Sequence, residues 1–535
     1  MSSASSRPAP LRLGVVVPGP AIDKYVAGVL AFCRRHPGLL DATLIVRPAP
    51  APAGGRLRAL LWRLIGWEER KYLRHHRLHR DHEGGAAAGA LTLAPGAAGE
   101  AALRALGLDL LLQLGGAPDG AALAPAARLG ALVLGDADGA AVPLALSGFW
   151  AAYRRRAKTG YALRASRPGH APALLARGYY ATRARYLLNQ AELRYKSAPH
   201  LQRLLLEVAE ADRLPAALAA DDDGADRAAV PLAALLRYAR RLAGLKLHDK
   251  LYKQYLRRTE VWGISFLHAG WRGADLARRI TPPVPPGHFW ADPFLWRRDG
   301  RTYCFLEDYD YQRALGHIAV LELHQDRATE LGACLVEPFH LSFPYLFEYQ
   351  GQLYMCPESS QSGQIRVYRS SAFPLGWELA AVLMEGVSAA DTMLFEQDGR
   401  WWMLTNLDLS HGGDHCSELQ LFWAPTPLDG DWTPHPCNPI AVDPVGARNG
   451  GLLREQGRLY RVGQRQGYCN YGEGLIVHEV LRLSPTEYAE REVSRIDPDF
   501  APGISGTHHL SSLGGITVLD HKSWRRAGQA GDQHE

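Results

Sequence analysis

Cysteine and long hydrophobic runs are scarce in this sequence. Its 535 residues include 7 cysteines, an odd number without regular spacing, which argues against a disulfide framework and favours a reducing compartment. No run approaches the roughly 18 apolar residues that a membrane-spanning helix needs. The N-terminal segment MSSASSRPAPLRLGVVVPGP has no apolar stretch long enough for a signal peptide. We therefore expect a cytoplasmic protein.

A large excess of charge of one sign is also missing. The chain has 60 Lys and Arg against 55 Asp and Glu, a net charge of +5, which is too small to indicate a nucleic-acid partner. With 47% apolar and 21% charged residues, the chain can bury a sizeable core and is not globally disordered. We expect folded domains and no nucleic acid among the partners.

Aromatic residues are few in the N-terminal half. Most Trp, Tyr and Phe lie after about residue 250, whereas the first half is dominated by Ala, Leu, Arg and Gly. This asymmetry excludes one uniform repeat architecture. It predicts a multidomain chain, with an α/β domain followed by an aromatic-rich all-β domain.

Alternating strands and helices in the N-terminal half predict a parallel sheet. Lys24–Arg35 has the apolar spacing of a helix, and residues 173–245 are expected to be helical. Four continuous apolar runs are typical of strands covered on both faces; they are Leu11–Val17, 42–46, 108–114 and 131–134.

The C-terminal half contains a weak internal repeat. Four units carry a glycine in a hairpin turn, and a degenerate fifth unit begins at Thr507. The turn glycines are Gly300, Gly351, Gly399 and Gly457, spaced by 51, 48 and 58 residues. That period suits four-stranded blades, so we predict a five-bladed β-propeller over 260–525, with 260–267 supplying the strand that closes the ring.

Equal repeat positions in a propeller form rings around its central channel. Eight positions before the turn glycines lie Asp292, Phe343, Asp391 and Asn449, and seven positions after them lie Glu307, Glu358, Asn406 and Gln464. These rings predict a polar cavity at one end of the channel. Its expected rim also includes Arg448, Arg465 and His508.

Several carboxylates around one concave site suit acid/base chemistry on a sugar acetal. Close carboxylates push one another's pKa apart, so that one stays protonated while another ionises. Aromatic side chains of the blades are candidate platforms for sugar rings; they are Trp290, Tyr309, Tyr345, Trp401, Trp402 and Tyr471. The alternative is structural: the polar residues bond to neighbouring strands or cap turns, and the aromatic residues pack between blades.

The propeller segment resembles the N-terminal domain of plant glucosamine inositolphosphorylceramide transferases and their bacterial relatives. The resemblance rests on HFWADPFLW, YMCPESSQSGQIRVYRS, SELQLFWAPTPLDGDWTPHPCNPI, ARNGGLL and LYRVGQ. That domain is similar to the five-bladed propellers of arabinanase- and xylosidase-type glycoside hydrolases. The resemblance implies Asp292 as the base, Asp391 as the residue that tunes pKa and orientation, and Glu358 as the acid.

The N-terminal half resembles the formyltransferase fold of methionyl-tRNA and sugar-nucleotide formyltransferases, on the segments DLLLQLGG, GALVLGDADG, SGFWAAYRRRAKTGYAL and YYATRARYLLNQAELRYKS. The family's chemistry needs an Asn-x-His pair and a downstream Asp. Here LGDAD replaces the pair, and Gly169 and His170 stand where the Asp is expected. The resemblance implies a Rossmann-like scaffold without formyl transfer, which binds a nucleotide or sugar at the carboxyl ends of its strands.

Two basic segments interrupt this organisation. Residues 56–80 carry eight Lys or Arg against two Glu, and residues 232–258 carry eight against one Asp. Both fit helices that lie on an anionic membrane surface. The alternative is that their apolar residues pack on the protein body and their charges form a solvated face.

Together these patterns predict five segments: a disordered tail at 1–10, a formyltransferase-like domain at 11–230, a basic helical connector at 231–259, the propeller at 260–525 and a second tail at 526–535. We expect a glycosyltransferase of glycan or glycolipid assembly with its site in the propeller channel. A glycoside hydrolase and a non-catalytic sugar-binding partner remain alternatives. The expected partners are a sugar or sugar nucleotide and a lipid-linked acceptor, with no cofactor and no metal.

Overall fold

The computed structural model describes residues 9–48, 56–74, 85–86, 89–116, 118–137, 139, 142–219, 229–251, 258–409 and 412–526. Most of the two predicted tails, 1–10 and 526–535, therefore lies outside the described residues. The chain divides into two compact units, Met1–Gly244 and Leu245–Glu535. Within the described ranges, no helix is both long and apolar enough to cross a membrane. None of the seven cysteines, all of which lie in the described ranges, forms a disulfide bond.

The first unit is an α/β domain built on a seven-stranded sheet with the strand order β5-β3-β1-β6-β7-β8-β9. Its strands are β1 (Leu11–Val17), β2 (Ala21–Ile22), β3 (Leu40–Val46), β4 (Gly85–Ala86), β5 (Leu91–Thr92), β6 (Leu110–Gln113), β7 (Ala131–Asp136), β8 (Lys158–Ser166) and β9 (Ala173–Ala181). Its helices are α1 (Lys24–Arg35), α2 (Arg56–Leu73), α3 (Ala97–Ala105), α4 (Gly120–Leu123), α5 (Phe149–Arg154) and α6 (Tyr186–Ala211). Helix α7 (Leu232–Leu251) follows them.

The parallel part of this sheet confirms the predicted α/β pattern. Strand β1 pairs in parallel with β3 and with β6, and β6 pairs in parallel with β7. Leu13 and Val15 on β1 are fully buried, as is Leu111 on β6, because helices cover both faces of the sheet. The sheet establishes an α/β domain and does not identify the formyltransferase type.

The prediction that residues 173–245 are helical throughout is wrong at its start. Residues 173–181 form β9, which pairs antiparallel with β8 and extends the sheet. Pairing with β8 decides the conformation here over local preference, since strand formation depends on neighbours distant in sequence. At the end of β7, the buried Asp136 accepts a hydrogen bond from the backbone N–H of Gly148 at 3.1 Å.

Helix α7 packs on the first unit through its N-terminal half. Leu235, Tyr238 and Leu242 are buried. The Tyr238 hydroxyl donates to Glu69 Oε1 of α2 at 2.7 Å and accepts from the backbone N–H of Tyr186 at 3.0 Å. The basic segment 232–258 therefore begins as a docked helix, and its residues 252–257 lie outside the described part of the chain.

The second unit is a five-bladed β-propeller, as predicted from the repeat. Its strands are β10 (Arg258–Leu267), β11 (His288–Arg298), β12 (Arg301–Asp310), β13 (Leu315–Leu323), β14 (Ala328–Leu335), β15 (Ser342–Tyr349), β16 (Gln352–Glu358), β17 (Gln364–Ala372), β18 (Gly376–Glu385), β19 (Ala389–Gln397), β20 (Arg400–Leu407), β21 (Glu418–Ala424), β22 (Thr433–Pro434), β23 (Ala441–Val442), β24 (Val445–Glu455), β25 (Arg458–Gly467), β26 (Asn470–Leu483), β27 (Tyr488–Ile496), β28 (Ile504–Gly506), β29 (Leu510–Leu513) and β30 (Ile516–Arg526).

Blades one to four are formed by β11–β14, β15–β18, β19–β23 and β24–β27, and blade five by β28, β29, β30 and β10. The ring closes because β10 pairs antiparallel with β30, from Arg258 opposite Arg526 to Leu267 opposite Thr517. This pairing confirms the closing role predicted for 260–267. It joins the N-terminal and C-terminal strands of the propeller within one blade.

The first two strands of each blade meet in the same tight turn. In blade one, Asp299 has φ +51° and Gly300 has φ +75°, and blade five repeats this with Gly514 and Gly515 at +59° and +79°. Two consecutive residues with positive φ define the turn whose twist matches that of paired strands, and glycine adopts this conformation at least cost. The glycine spacing in the sequence thus follows from one repeated hairpin.

Candidate active site

The ring position eight residues before the turn glycine has the same unusual backbone in three blades. Asp292, Phe343 and Asp391 have φ of +52°, +47° and +49°, and each lies at a break in the pairing register of the innermost strand. Such a conformation is costly for residues other than glycine and persists only where the surrounding structure holds it. The strain is concentrated where the innermost strands surround the channel.

Arg448 brings two of the predicted carboxylates together. Its Nε donates to Asp391 Oδ2 at 2.6 Å and its Nη2 to Asp391 Oδ1 at 3.2 Å. The same Nη2 donates to Glu358 Oε2 at 3.3 Å. A single guanidinium therefore joins blades two, three and four, and holds both carboxylates within a few ångströms of each other.

The pKa of Asp391 is raised to about 6, because burial and the neighbouring Glu358 together outweigh the lowering effect of the Arg448 guanidinium. Burial acts in this direction because it penalises the charged form of a carboxyl group. Asp391 thus stays largely ionised at neutral pH, as its contact with Arg448 requires.

Three amides of the predicted ring hold this arrangement in place. Gln464 Nε2 donates to Asp391 Oδ2 at 3.0 Å, and Asn449 Nδ2 donates to the backbone carbonyl of Asp391 at 2.9 Å. Asn406 Oδ1 accepts from the backbone N–H of Asn449 at 2.9 Å. All three side chains are buried and bonded to protein, which fits the structural alternative, and their role in substrate binding stays a prediction.

Asp292 belongs to the same polar group, since the charges of Asp391 and Arg448 affect its pKa. It is 5% exposed, and its Oδ1 has no hydrogen-bond partner among the described residues. His508 Nε2 lies 3.9 Å from that oxygen. Burial and the carboxylates of Asp391 and Asp520 together raise the pKa of Asp292 to about 7, although His508 acts in the opposite direction. A carboxyl group near pKa 7 is suited to take up a proton at neutral pH.

Asp520 belongs to the site but was not predicted. Its Oδ1 accepts the backbone N–H groups of His508 and His509 at 2.8 and 3.0 Å, and its Oδ2 accepts that of Asp292 at 3.3 Å. Its carboxylate also contacts His508 Nδ1. Burial opposes charge on His508, but the carboxylates of Asp520 and Asp292 raise the pKa of its imidazole.

The repeat carries no signal for Asp520. It follows the turn glycine Gly515 by five positions, where the other four blades have the apolar residues Phe305, Cys356, Leu404 and Val462. Extending the register to Gly515 does identify two further buried polar residues, Thr507 and Lys522. Lys522 Nζ donates to Asn470 Oδ1 at 2.6 Å and to the backbone carbonyl of Tyr471 at 2.9 Å.

Three side chains of this site could hold a metal ion: Asp292, His508 and Asp520. Their carboxylate and imidazole atoms lie within 4.8 Å of one another, and no other such group occurs within the described ranges. Oxygen and imidazole donors suit several divalent cations. The sequence predicted no metal, because these residues come from blades one and five and have no recognisable ligand spacing. No step proposed below depends on a metal at this position.

Glu307 adds a fifth carboxyl group. Its Oε1 lies 3.3 Å from His340 Nε2. Burial raises the pKa of Glu307 well above its ordinary range, and the charges of Asp292 and Glu358 raise it further. Burial thus favours the protonated form of Glu307, whereas the contact with Arg448 favours the ionised form of Asp391, and environments that separate the pKa values of neighbouring carboxyl groups suit paired acid/base chemistry.

Other predicted residues lie at the margin of this cluster. Arg465 pairs with Glu473 at 3.1 Å and with Asp497.

The Tyr471 side chain is 40% exposed, and its ring faces the Arg448 guanidinium at 5.4 Å. Trp262 stacks on His508 with ring centroids 4.0 Å apart. Tyr471 is thus an accessible aromatic surface beside the carboxyl groups. Other candidate platforms, Trp290, Tyr345, Trp401 and Trp402, are buried.

The first unit has a separate concave site. A crevice of about 610 Å³ opens at the carboxyl ends of its parallel strands, and its lining includes Arg47, Gln113 and Gly116. Arg47 lies between two carboxylates, at 2.8 Å from Glu100 and 2.7 Å from Asp119. The position agrees with the general location of ligands in open α/β sheets.

Comparison with known proteins identifies similarity in the propeller unit. Residues 278–499 match the family model described as glucosamine inositolphosphorylceramide transferase 1, N-terminal. The match contains Asp292, Glu358, Asp391 and Arg448 but stops before His508 and the closing strands. It spans less than half of the chain.

Curated relatives likewise match less than half of the chain. The chain is 36% identical over 238 residues to glucosamine inositolphosphorylceramide transferase 1 of Arabidopsis thaliana, covering 42% of this chain and 31% of the relative. It is 36% identical over 252 residues to the protein of that name from Oryza sativa subsp. japonica, covering 44% and 33%. The chain thus spans about a third of the length of these plant relatives.

Solved structures of glycoside hydrolases resemble the chain more distantly. The catalytic domain of the Coprinopsis cinerea GH62 α-L-arabinofuranosidase is 12% identical, with 49% of this chain and 96% of that chain covered and a TM-score of 0.35. The Cellvibrio cellulosa α-L-arabinanase is 15% identical, with 44% and 90% covered and a TM-score of 0.32. Likeness at this level transfers no residue role, so the similarity that carries weight is that of the propeller unit to the N-terminal region of the plant transferases.

Proposed function

We propose that the propeller site binds a sugar and activates one of its hydroxyl groups in a glycosyl transfer of glycan or glycolipid assembly. The observation that carries the proposal is the buried Asp292 carboxyl group, whose Oδ1 accepts no hydrogen bond from the described residues and whose pKa is raised by burial to about 7. Such a group accepts a proton from an approaching hydroxyl more effectively than an ordinary exposed aspartate.

In the proposed reaction, the acceptor oxygen forms a bond to the anomeric carbon of the donor sugar. The bond from that carbon to the leaving group breaks, the leaving group departs with the electron pair, and the acceptor proton moves to Asp292 Oδ1. Arg448 holds Asp391 and Glu358 as hydrogen-bond acceptors for the other hydroxyl groups of the sugar. Tyr471 supplies an aromatic face for the ring.

The charge of the site favours the acceptor over a sugar-nucleotide donor. The carboxyl groups of Glu358, Asp391 and Asp520 outnumber the nearby basic groups of Arg448 and His508, which disfavours the negative charge of a diphosphate. A lipid-linked acceptor and a cytoplasmic location are parts of the same proposal.

The names of the plant relatives support this choice over hydrolysis. Their name describes a transferase and combines a sugar, glucosamine, with a sphingolipid, inositolphosphorylceramide. Hydrolysis of arabinanase or xylosidase type is the second candidate. It is favoured by the presence of two carboxyl groups in one site, Glu358 and Asp391, both bonded to Arg448 Nη2, since glycosidases act with a pair of carboxyl groups.

The test compares the whole chain with Asp292→Asn and with Asp398→Asn. Asp398 lies in an exposed hairpin turn with φ +55°, a conformation that Asn tolerates, so the control makes the same chemical change outside the site. Each protein is assayed for sugar transfer from a panel of sugar nucleotides to lipid acceptors, and for hydrolysis of aryl glycosides. We expect transfer by the parent and the control, and a loss of roughly 10²–10⁴-fold in Asp292→Asn.

The other outcomes are decisive as well. Transfer at the parent rate in Asp292→Asn overturns the role of this residue. Hydrolysis of aryl glycosides without any transfer favours the hydrolase. Saturable sugar binding by calorimetry, with neither activity, identifies a sugar-binding partner of another enzyme.

A further inference from the structure

Helix α2 exposes a continuous apolar face instead of burying it. Its packed side is formed by Ile65, Glu69 and Leu73, all buried against the first unit. The exposed apolar side chains are Leu57, Leu60, Leu64 and Trp67, which are 58%, 52%, 54% and 61% accessible. Their spacing of three and four residues places them in one row along the helix.

Cations border this apolar row. Arg56, Arg63, Arg70 and Lys71 are all exposed on α2. The helix has only two acidic residues: Glu69 is buried beneath it, and Glu68 lies 3.8 Å from Arg185. The outer face of α2 therefore combines large apolar side chains with positive charge and bears no exposed carboxylate.

We propose that this face of α2 binds the surface of a bilayer that contains anionic phospholipids. Leucine and tryptophan side chains enter the boundary between head groups and acyl chains, and the bordering cations meet lipid phosphates. Trp67 is of the residue type enriched at that boundary, and Lys71 Nζ lies 5.8 Å from its ring. This inference rests on α2 alone and does not depend on the reaction of the propeller.

The charge pattern argues against the other occupants. A second copy of α2 would bring rows of arginines of the same sign close together across a symmetric interface, which is unfavourable. A nucleic acid would satisfy the cations but leave the leucine row in water. A bilayer satisfies both features together.

Flotation of the whole chain with lipid vesicles tests the proposal. The vesicles are phosphatidylcholine alone, or phosphatidylcholine mixed with phosphatidylserine. One variant combines Leu60→Ser with Leu64→Ser, and another combines Arg56→Glu with Arg63→Glu. We expect the parent to float with the mixed vesicles, and each variant to bind roughly tenfold less or weaker still.

Matched controls make the same chemical changes elsewhere. Leu379→Ser with Leu481→Ser alters two propeller leucines that are 49% and 50% exposed, and Arg104→Glu with Arg167→Glu changes the net charge equally at exposed positions of the first unit. Both controls should float like the parent. Circular dichroism melting checks that every variant folds.

Three results would overturn the proposal: no flotation of the parent, equal flotation of the α2 variants, or equal loss in the controls. Light scattering of the parent and the leucine variant in solution adds a fourth. A parent dimer that becomes a monomer when Leu60 and Leu64 are replaced, together with no flotation, assigns the face to a second copy of the chain. Because no readout uses activity, failure here is distinguishable from failure of the proposed reaction.

Discussion

Arg448 Nε lies 2.6 Å from Asp391 Oδ2 and links the fourth blade of the propeller to the third. The Arg448 side chain is 14% exposed and that of Asp391 only 1%. A buried guanidinium and a buried carboxylate are tolerated because each satisfies the other, and because Gln464 and Glu358 occupy the remaining positions. The pair therefore stabilises the contact between blades three and four and contributes to the charge of the site.

Replacing Arg448 by Met should destabilise the propeller strongly. The substitution leaves Asp391 buried without its counter-ion, which costs about 3–5 kcal/mol when one partner of such a pair is removed. Urea denaturation followed by tryptophan fluorescence measures it, since most tryptophans lie in the propeller. The control is Arg369→Met, which breaks the exposed pair with Glu378 and should cost about 1 kcal/mol or less. Equal effects would show that the Arg448 pair is not special.

The contribution of Asp292 to the stability of the propeller should fall as pH rises toward neutrality. Burial raises the pKa of Asp292 to about 7, above its unfolded value of about 3.9. The folded state thus retains a proton that the unfolded chain releases, so this contribution is full below about pH 4 and is lost as pH rises through about 7. We expect the free energy of unfolding to decrease between those values by up to roughly 4 kcal/mol because of Asp292.

Asp292→Asn should flatten that pH dependence, because the amide does not titrate. Urea denaturation of the parent, Asp292→Asn and Asp398→Asn at a series of pH values measures the slopes. The control Asp398→Asn, in an exposed turn, should retain the slope of the parent. A slope that is the same in all three proteins would contradict a raised pKa at Asp292.

Closure of the ring should depend on the buried side of β30. Leu519 is fully buried and lies opposite Ser265 of β10 and Leu510 of β29. Leu519→Ala removes packed atoms and leaves a cavity, which should cost about 2–5 kcal/mol. Leu513→Ala in the same blade, at a position 39% exposed, should change stability far less. Thermal melting compares the two variants, and similar melting temperatures would argue against this closure.

The docking of α7 on the first unit should depend on one hydroxyl group. Tyr238→Phe removes the donor to Glu69 and the acceptor for the Tyr186 N–H, leaving both groups buried, at a cost of about 1–3 kcal/mol. Tyr153→Phe is the control, because the hydrogen bond that the Tyr153 hydroxyl accepts from Arg237, within the described part of the chain, is long, at 3.5 Å, and exposed. Hydrogen exchange in α7 should increase in the first variant alone. Unchanged exchange would contradict the predicted docking role.

Much of the propeller could be predicted because its repeat is local. Each blade needs the same two-residue turn, so the turn glycines mark the register, and counting from them located Asp292, Asp391 and Glu358 without any tertiary information. Strand β1 and helix α1 of the first unit were likewise predicted with their observed bounds, Leu11–Val17 and Lys24–Arg35. Their apolar periodicity is strong, and local pattern is enough to define them.

Other features depended on partners distant in sequence. Residues 173–181 form a strand because β8 lies beside them. Asp520 joins the site because blade five returns the chain to blade one, at a repeat position that is apolar in every other blade. Helices α6 and α7 cover one side of α2 and leave its other apolar residues exposed. The periodicity of the sequence does not reveal which side is covered.

The sequence by itself determined the two-part architecture, the number of blades, the turn positions and the ring of polar residues, because each of these is written in composition or in a short repeat. Only the tertiary structure decided how those residues are used. It paired Arg448 with Asp391, bonded Asn406 and Asn449 to the backbone, turned Arg465 toward Glu473 and left Asp292 Oδ1 without a hydrogen-bond partner among the described residues. The physical reason is that burial and pairing set the charge and hydrogen bonding of a side chain, and both depend on neighbours from other blades.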